Sequence, residues 1–273
     1  MSHEDHLKHT PLGHETDYVS DYDPGQLCPI PRANNWQDKG YSKAPFGGSD
    51  IWNAYEVSWL NSKGLPQVAV AEFRIPCESP NIIESKSFKL YLNSFNLTRF
   101  DNPLLVQEAM IKDLSQCAGA SVSVTLLSLD QTAAFSSLSG HCLDDQDIEI
   151  KHYQPAPELL QADADNEVSE QLYSHLLKSN CPVTGQPDWA SIEIQYTGPE
   201  IDRAGLLGYL VSYREHGDFH EQCVEQIYMD LLQHCQPQQL TVYARYVRRG
   251  GLDINPYRSS EQGQPVNKRL LRQ

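Results

Sequence analysis

No Cys-x-x-Cys pair occurs in this chain, although seven cysteines are spread through it as Cys28, Cys77, Cys117, Cys142, Cys181, Cys223 and Cys235. Without that spacing a zinc ribbon or finger lacks its ligand set, so no metal is expected. The odd number and the scatter point to free thiols in a reducing compartment. No run of about 18 apolar residues is present to span a membrane. Met1-Ser-His-Glu-Asp-His-Leu-Lys-His9 has no apolar stretch of the kind a secretory leader needs, and the chain reads as cytoplasmic. A Gly-x-Gly-x-x-Gly dinucleotide loop is missing as well. Cations are scarce: 21 Lys and Arg stand against 36 Asp and Glu, a net charge of -15. That field repels a polyanion, so direct binding to nucleic acid is not expected. The nearest basic cluster is Arg245, Arg248 and Arg249, with Arg258 beyond. It is too small for a nucleic-acid groove but suits a phosphorylated small molecule. His3, His6, His9 and His14 read as a solvated tail rather than a metal site.

What is present is a core. Hydrophobic residues make up 40% of the 273, enough for one large or two ordinary domains. Residues 1 to about 50 are polar and broken by prolines, and read as an extended arm. Residues 51–60 and 67–75 are rich in aromatic and β-branched residues and read as a hairpin about the turn Lys63-Gly-Leu-Pro66. Phe88, Tyr91, Leu92 and Phe95 recur at helical spacing, predicting a helix over 83–95. Ser85 reads as its cap, and the free N–H groups of that end as a plausible anion site. A second helix is expected over 102–117 with Leu105, Ala109 and Leu114 inward, then a strand over 120–127. Residues 128–165 read as an inter-domain stretch. Then come a helix over 167–179, a strand over 190–196, helices over 206–213 and 220–235, a closing strand over 239–248 and the turn Arg249-Gly250-Gly251. Residues 257–273 read as a polar tail.

A duplication is visible. Displaced by 118 residues, Ile83 falls on Ile201, Tyr91 on Tyr209, Leu92 on Leu210 and Ser94 on Ser212. Val106 then falls on Val224, Leu114 on Leu232, Cys117 on Cys235 and Val124 on Val242, which predicts one ungapped register. Strand, two helices and strand recur in each half, with an extra strand in the first. That order argues an α+β fold. The first half carries no counterpart of the second half's chemistry: Lys63 falls on Cys181 and Val70 on Asp188.

The chemistry sits in Cys181-Pro-Val-Thr-Gly-Gln-Pro-Asp-Trp189. Glycine and two prolines make this a shaped loop, where reactive groups are often held. A cysteine can attack an electrophilic carbon as thiolate, and a nearby carboxyl can protonate the atom that becomes negative. By itself, one cysteine of seven is more often a small buried hydrophobe than a nucleophile. With Glu84-Ser-Lys-Ser-Phe-Lys-Leu-Tyr-Leu-Asn-Ser-Phe-Asn96 and Phe219-His220-Glu221, this motif resembles the NADPH-dependent 7-cyano-7-deazaguanine reductases, the nitrile reductases of queuosine biosynthesis and hence of tRNA modification, in their long duplicated form. The resemblance runs from Trp52 to Gly250.

It implies two tandem tunnelling-fold units, 1–150 and 151–273, each an antiparallel sheet with helices on one face. It also implies a homodimer and an oxidoreductase that spends two NADPH per nitrile reduced to amine. By resemblance, Cys181 is the nucleophile forming a thioimide and Asp188 the proton donor. His220 and Glu221 bind substrate, as do Ile83, Glu84 and Ser85. Ser85, Lys86, Arg249 and Gly250 contact NADPH. Phe219 suits stacking on the base, or plain core packing. His220 also suits a proton relay in the second reduction. Two other readings compete: a tunnelling-fold cyclohydrolase or epimerase of pterin metabolism, and a non-catalytic purine-binding module.

Overall fold

Alternation of apolar and polar residues builds long strands, and the helices follow them in the same order in both halves. The structure, a computed structural model, describes residues 18–32, 36, 40–130 and 134–273. The tail histidines 3, 6, 9 and 14 lie outside these. The chain divides into two compact units: Met1–Asn34, Asp50–Ala133 and Arg248–Asp253 in one; Asn35–Ser49, Ala134–Val247 and Ile254–Gln273 in the other.

The first unit is built on β1 (Pro29–Pro31), β2 (Gly47–Leu60), β3 (Pro66–Pro76), β4 (Asn81–Ile83) and β5 (Ser123–Leu127), with α1 (Ser85–Asn93) and α2 (Pro103–Ala118). The sheet order is β5-β3-β2, with β3 antiparallel to β5, and β1 pairs with β4 antiparallel. Phe88, Tyr91, Leu92 and Phe95 are buried as their spacing requires. The inward face of α2 differs from expectation. Val106, Met110, Leu114 and Ala118 are buried, whereas Leu105 is exposed. The spacing by fours starts one residue later than the Leu104-Leu105 pair suggests.

The second unit holds β6 (Phe135–Ser136), β7 (His141–Cys142), β8 (Ala162–Ser174), β9 (Lys178–Asn180), β10 (Pro187–Ile201), β11 (Gln239–Tyr246), β12 (Leu252–Ser259, its first two residues counted with the first unit) and β13 (Arg269–Leu270), with α3 (Arg203–Ser212) and α4 (His220–Cys235). The sheet order here is β12-β11-β10-β8-β7, antiparallel from β12 to β8. The helix expected over 167–179 is instead β8 and β9. Val168 and Leu172 are four apart, which fits either period, and pairing along β10 from Ser174 to Ala162 decides for strand. The polar tail expected over 257–273 holds β12 and β13. β12 is buried at all but Tyr257, and its polar Asp253, Asn255 and Arg258 lie inside: Arg258 donates to Glu225 at 2.8 Å, both fully buried.

Local features recur in both halves, but not in one ungapped register. Glu84 and Asp202 are equivalent N-caps, accepting from Lys86 and Ser87 N–H in one half and from Ala204 and Gly205 N–H in the other. Ser94 and Ser212 each donate back to the carbonyl of Tyr91 or Tyr209 at 2.6 Å. Those tyrosines donate to Asp113 and Asp230, and Gly119 and Gln236 are the left-handed C-caps of α2 and α4. The second helices therefore match one residue out of the register that unites the first. In the hairpins, Val124 pairs with Phe73 and Val242 with Ile194.

Candidate functional site

Strand β9 runs into β10 through the turn Cys181–Gln186, closed by Cys181 N–H donating to the Gln186 carbonyl at 2.8 Å and Gly185 N–H to the Cys181 carbonyl at 3.0 Å. Gly185 has φ +67°, in the left-handed region where a side chain is strained. The ladder sets Ser179 opposite Asp188 and Asn180 opposite Pro187. Side chains alternate along a strand, so Ser179, Cys181 and Asp188 share one face of this hairpin. Cys181 is a free, half-buried thiol and Asp188 is buried.

The segment before α4 runs alongside. Asn180 N–H donates to the His216 carbonyl at 2.7 Å, and Asp218 N–H to the Asn180 carbonyl at 3.1 Å. This places His220, the first residue of α4, with Nε2 at 3.3 Å from Asp188 Oδ2. Its ring lies flat on Tyr246 of β11, with centroids 3.8 Å apart and planes 3° apart. His220 Nδ1 is buried without a hydrogen-bond partner among the described residues. Phe219 caps α4 by backbone alone and is 8% exposed; Glu221 is 2% exposed. Cys223 also lies here, fully buried. Burial, then the Asp218 charge, pushes its thiol well above the usual range, so it stays protonated. Sequence reasoning missed Tyr246 and Ser179. The alternation of Val242, Ala244 and Tyr246 along a strand already expected was the available sign for Tyr246.

Four motif residues, Ile83 to Lys86, span the end of β4 and the start of α1 in the first unit. Ile83 ends β4 and is buried; Glu84 is wholly buried as the α1 N-cap. The cap is therefore Glu84 and not Ser85, which is the first helical residue. Its carboxylate takes the Lys86 and Ser87 N–H groups, both at 2.7 Å, so the helix end serves its own side chain rather than a foreign anion. Burial raises the Glu84 carboxyl above the usual carboxylate value, opposed by those two hydrogen bonds and by the Lys89 charge. In the same unit Arg249, Gly250 and Gly251 form the turn into β12, with both glycines left-handed. Lys89 lies over Gly250, 3.2 Å from where a Cβ would stand. Arg248 sits 4.5 Å over the Tyr55 ring. Arg245 and Arg258, by contrast, are buried on internal partners and leave the basic cluster expected from sequence. Among the described residues, no group of three His, Cys, Asp or Glu is placed to hold a metal, and no helix is long and apolar enough to cross a membrane.

Residues 18–126 match the family described as nitrile reductase, 7-cyano-7-deazaguanine-reductase N-term. Residues 187–265 match the family described as QueF-like protein. A curated relative, the NADPH-dependent 7-cyano-7-deazaguanine reductase of Bordetella avium (strain 197N), is 57% identical over 257 residues, covering 93% of this chain and 94% of its own. A solved structure, an archaeosine synthase QueF-Like in the apo form, is 16% identical, covering 36% of this chain and 95% of its own, with a TM-score of 0.31, too slight a likeness to bear on the fold.

Proposed function

The chain belongs to the family of NADPH-dependent 7-cyano-7-deazaguanine reductases, and from that premise we propose that it reduces the nitrile of 7-cyano-7-deazaguanine to the primary amine through a covalent adduct on Cys181. The observation that carries this reading is the hairpin face on which Cys181 and Asp188 both lie, with His220 held against Asp188.

A nitrile carbon is a poor hydride acceptor. Cys181 Sγ attacks it as thiolate, a C–S bond forms, and Asp188 gives its proton to the nitrile nitrogen. The product is a thioimide whose sp² carbon is more electrophilic. After one hydride is taken up, the C–S bond breaks, the thiolate leaves and an imine remains. A second hydride and a proton relayed by His220 through Asp188 complete the amine. NADPH, when bound, supplies the two hydrides. Lys86, Arg249, Ser85 and Gly250 are the residues that would hold it: a turn of two glycines with Lys89 laid over it offers close backbone approach and cations for phosphate. Glu221 accepts from the N1–H and 2-amino group of the base, which a carboxylate can do with both oxygens. Phe219 covers the base.

The repeated caps and tyrosine–aspartate pairs support two tandem tunnelling-fold units, residues 1–150 and 151–273, with helices on one face of each sheet. We place the enzyme in the cytoplasm as a homodimer.

Absorbance of NADPH followed with the purified protein and 7-cyano-7-deazaguanine tests the reaction. Two NADPH consumed per amine formed, with none consumed by Cys181→Ala, is the expected result. A folded wild-type protein that binds the base without consuming NADPH overturns it.

A further inference from the structure

Among the described residues, His220 has one polar contact, Nε2 at 3.3 Å from Asp188 Oδ2, and its Nδ1 is buried with no hydrogen-bond partner. One contact leaves an imidazole free to turn about its own axis. The second restraint on the ring is Tyr246. Aromatic pairs prefer edge-on or offset packing, and Tyr209–Tyr213 and Tyr243–Tyr257 in the same unit are edge-on, at 86° and 88°. The His220–Tyr246 stack is parallel to 3°. Such a stack fixes a ring plane and tolerates either protonation state of the imidazole, since a phenol face also attracts an imidazolium.

Tyr246 is itself immobilised. It pairs with Ala190 in the β10–β11 ladder, two residues from Asp188, and the next residue, Val247, donates to the Trp189 carbonyl at 2.8 Å. Its own carbonyl accepts from Gln273 Nε2 at 3.1 Å, and that carboxamide also bonds Asn255 and Arg245. The tyrosine hydroxyl is buried beside Ser179 and Cys223. The face of the ring is what meets His220.

We propose that Tyr246 is a positioning residue: its ring, braced by the β10–β11 ladder and by Gln273, holds the His220 imidazole in the plane that keeps Nε2 on Asp188. The proposal rests on His220 being the relay for Asp188.

The test compares Tyr246→Leu, Tyr246→Phe, His220→Ala and the double variant Y246L/H220A, with kcat and KM measured at saturating NADPH. Tyr246→Leu is expected to lower kcat by about 10- to 100-fold, the scale of a misplaced catalytic group, with KM for the nitrile little changed. Tyr246→Phe, which keeps the ring, should run near the wild-type rate. The double variant should be no slower than His220→Ala, because a residue acting only through His220 has nothing left to position. Tyr246→Met replaces the leucine variant if that one loses its cooperative thermal transition. Wild-type kcat in a folded Tyr246→Leu or Tyr246→Met, beside an impaired His220→Ala, overturns the positioning role alone. So does a double variant slowed by the product of the single effects. Wild-type kcat in His220→Ala overturns the relay and the positioning role together.

Discussion

At the scale of single residues, the proposed site takes Cys181 and Asp188 from one hairpin and His220 from a helix start, with His220 Nε2 3.3 Å from Asp188. Cys181→Ala should abolish turnover, and mass spectrometry of wild-type protein with the nitrile but no NADPH should show an adduct equal to the full mass of the substrate, since addition expels nothing. The same measurement on Cys181→Ala should show none. Asp188→Asn keeps the shape but has no acidic proton; kcat should fall by about 10²- to 10⁴-fold, the usual worth of a general acid. Cys181, Asp188 and His220 could be singled out from the sequence because each lies in a short motif; the structure shows His220 beside Asp188. Tyr246 was not singled out: alternation along its strand gives its face, but its place opposite Ala190, two residues from Asp188, comes from ladder register. Glu84 was legible as part of a motif, but its capping was not: a serine one position later carries the stronger prior for that duty.

At the scale of elements, the sequence revealed the helices whose apolar stripes fit one period only and misled where two periods coincide. The spacing of Val168 and Leu172 satisfies helix and strand alike, and only pairing with β10 separates them. β12 escaped notice for a different reason. Its buried residues include Asp253, Asn255 and Arg258, so it has no apolar alternation to read. Its interior polarity carries a testable cost. Arg258 and Glu225 are both fully buried at 2.8 Å. Arg258→Met alone leaves a buried carboxylate and should destabilise the protein by about 3–5 kcal/mol. Arg258→Met with Glu225→Leu should recover most of that loss, as read from urea midpoints.

At the scale of the whole molecule, the two halves share a buried tyrosine–aspartate bond: Tyr91 with Asp113, joined by Tyr22, and Tyr209 with Asp230, joined by Tyr213. Burial, reinforced by those carboxylates, raises the Tyr91 and Tyr209 phenols well above their usual value. Between the unfolded value of about 10 and the higher folded value, the native state keeps protons that the unfolded chain has lost. Stability from these groups is complete below pH about 10 and falls as pH rises beyond it, by about 1.4 kcal/mol per pH unit for each such tyrosine. Half-buried Cys117, pushed up to about 12 by desolvation, acts with the same sign. Urea midpoints between pH 8 and 11 should stay level and then drop, and Tyr91→Phe should lower the plateau while making the drop shallower.

The residue after Asp188 gives the site an optical reporter. Of the four tryptophans, Trp36, Trp52 and Trp59 are buried at 8%, 1% and 3% exposure, while Trp189 is 37% exposed beneath the Arg214 guanidinium. Its emission should lie to the red of the other three, and it should be the one that iodide reaches. A base bound beside Asp188 should then register as a loss of iodide quenching, and Trp189→Phe should silence that change. Ligand arrival can be timed this way without any turnover.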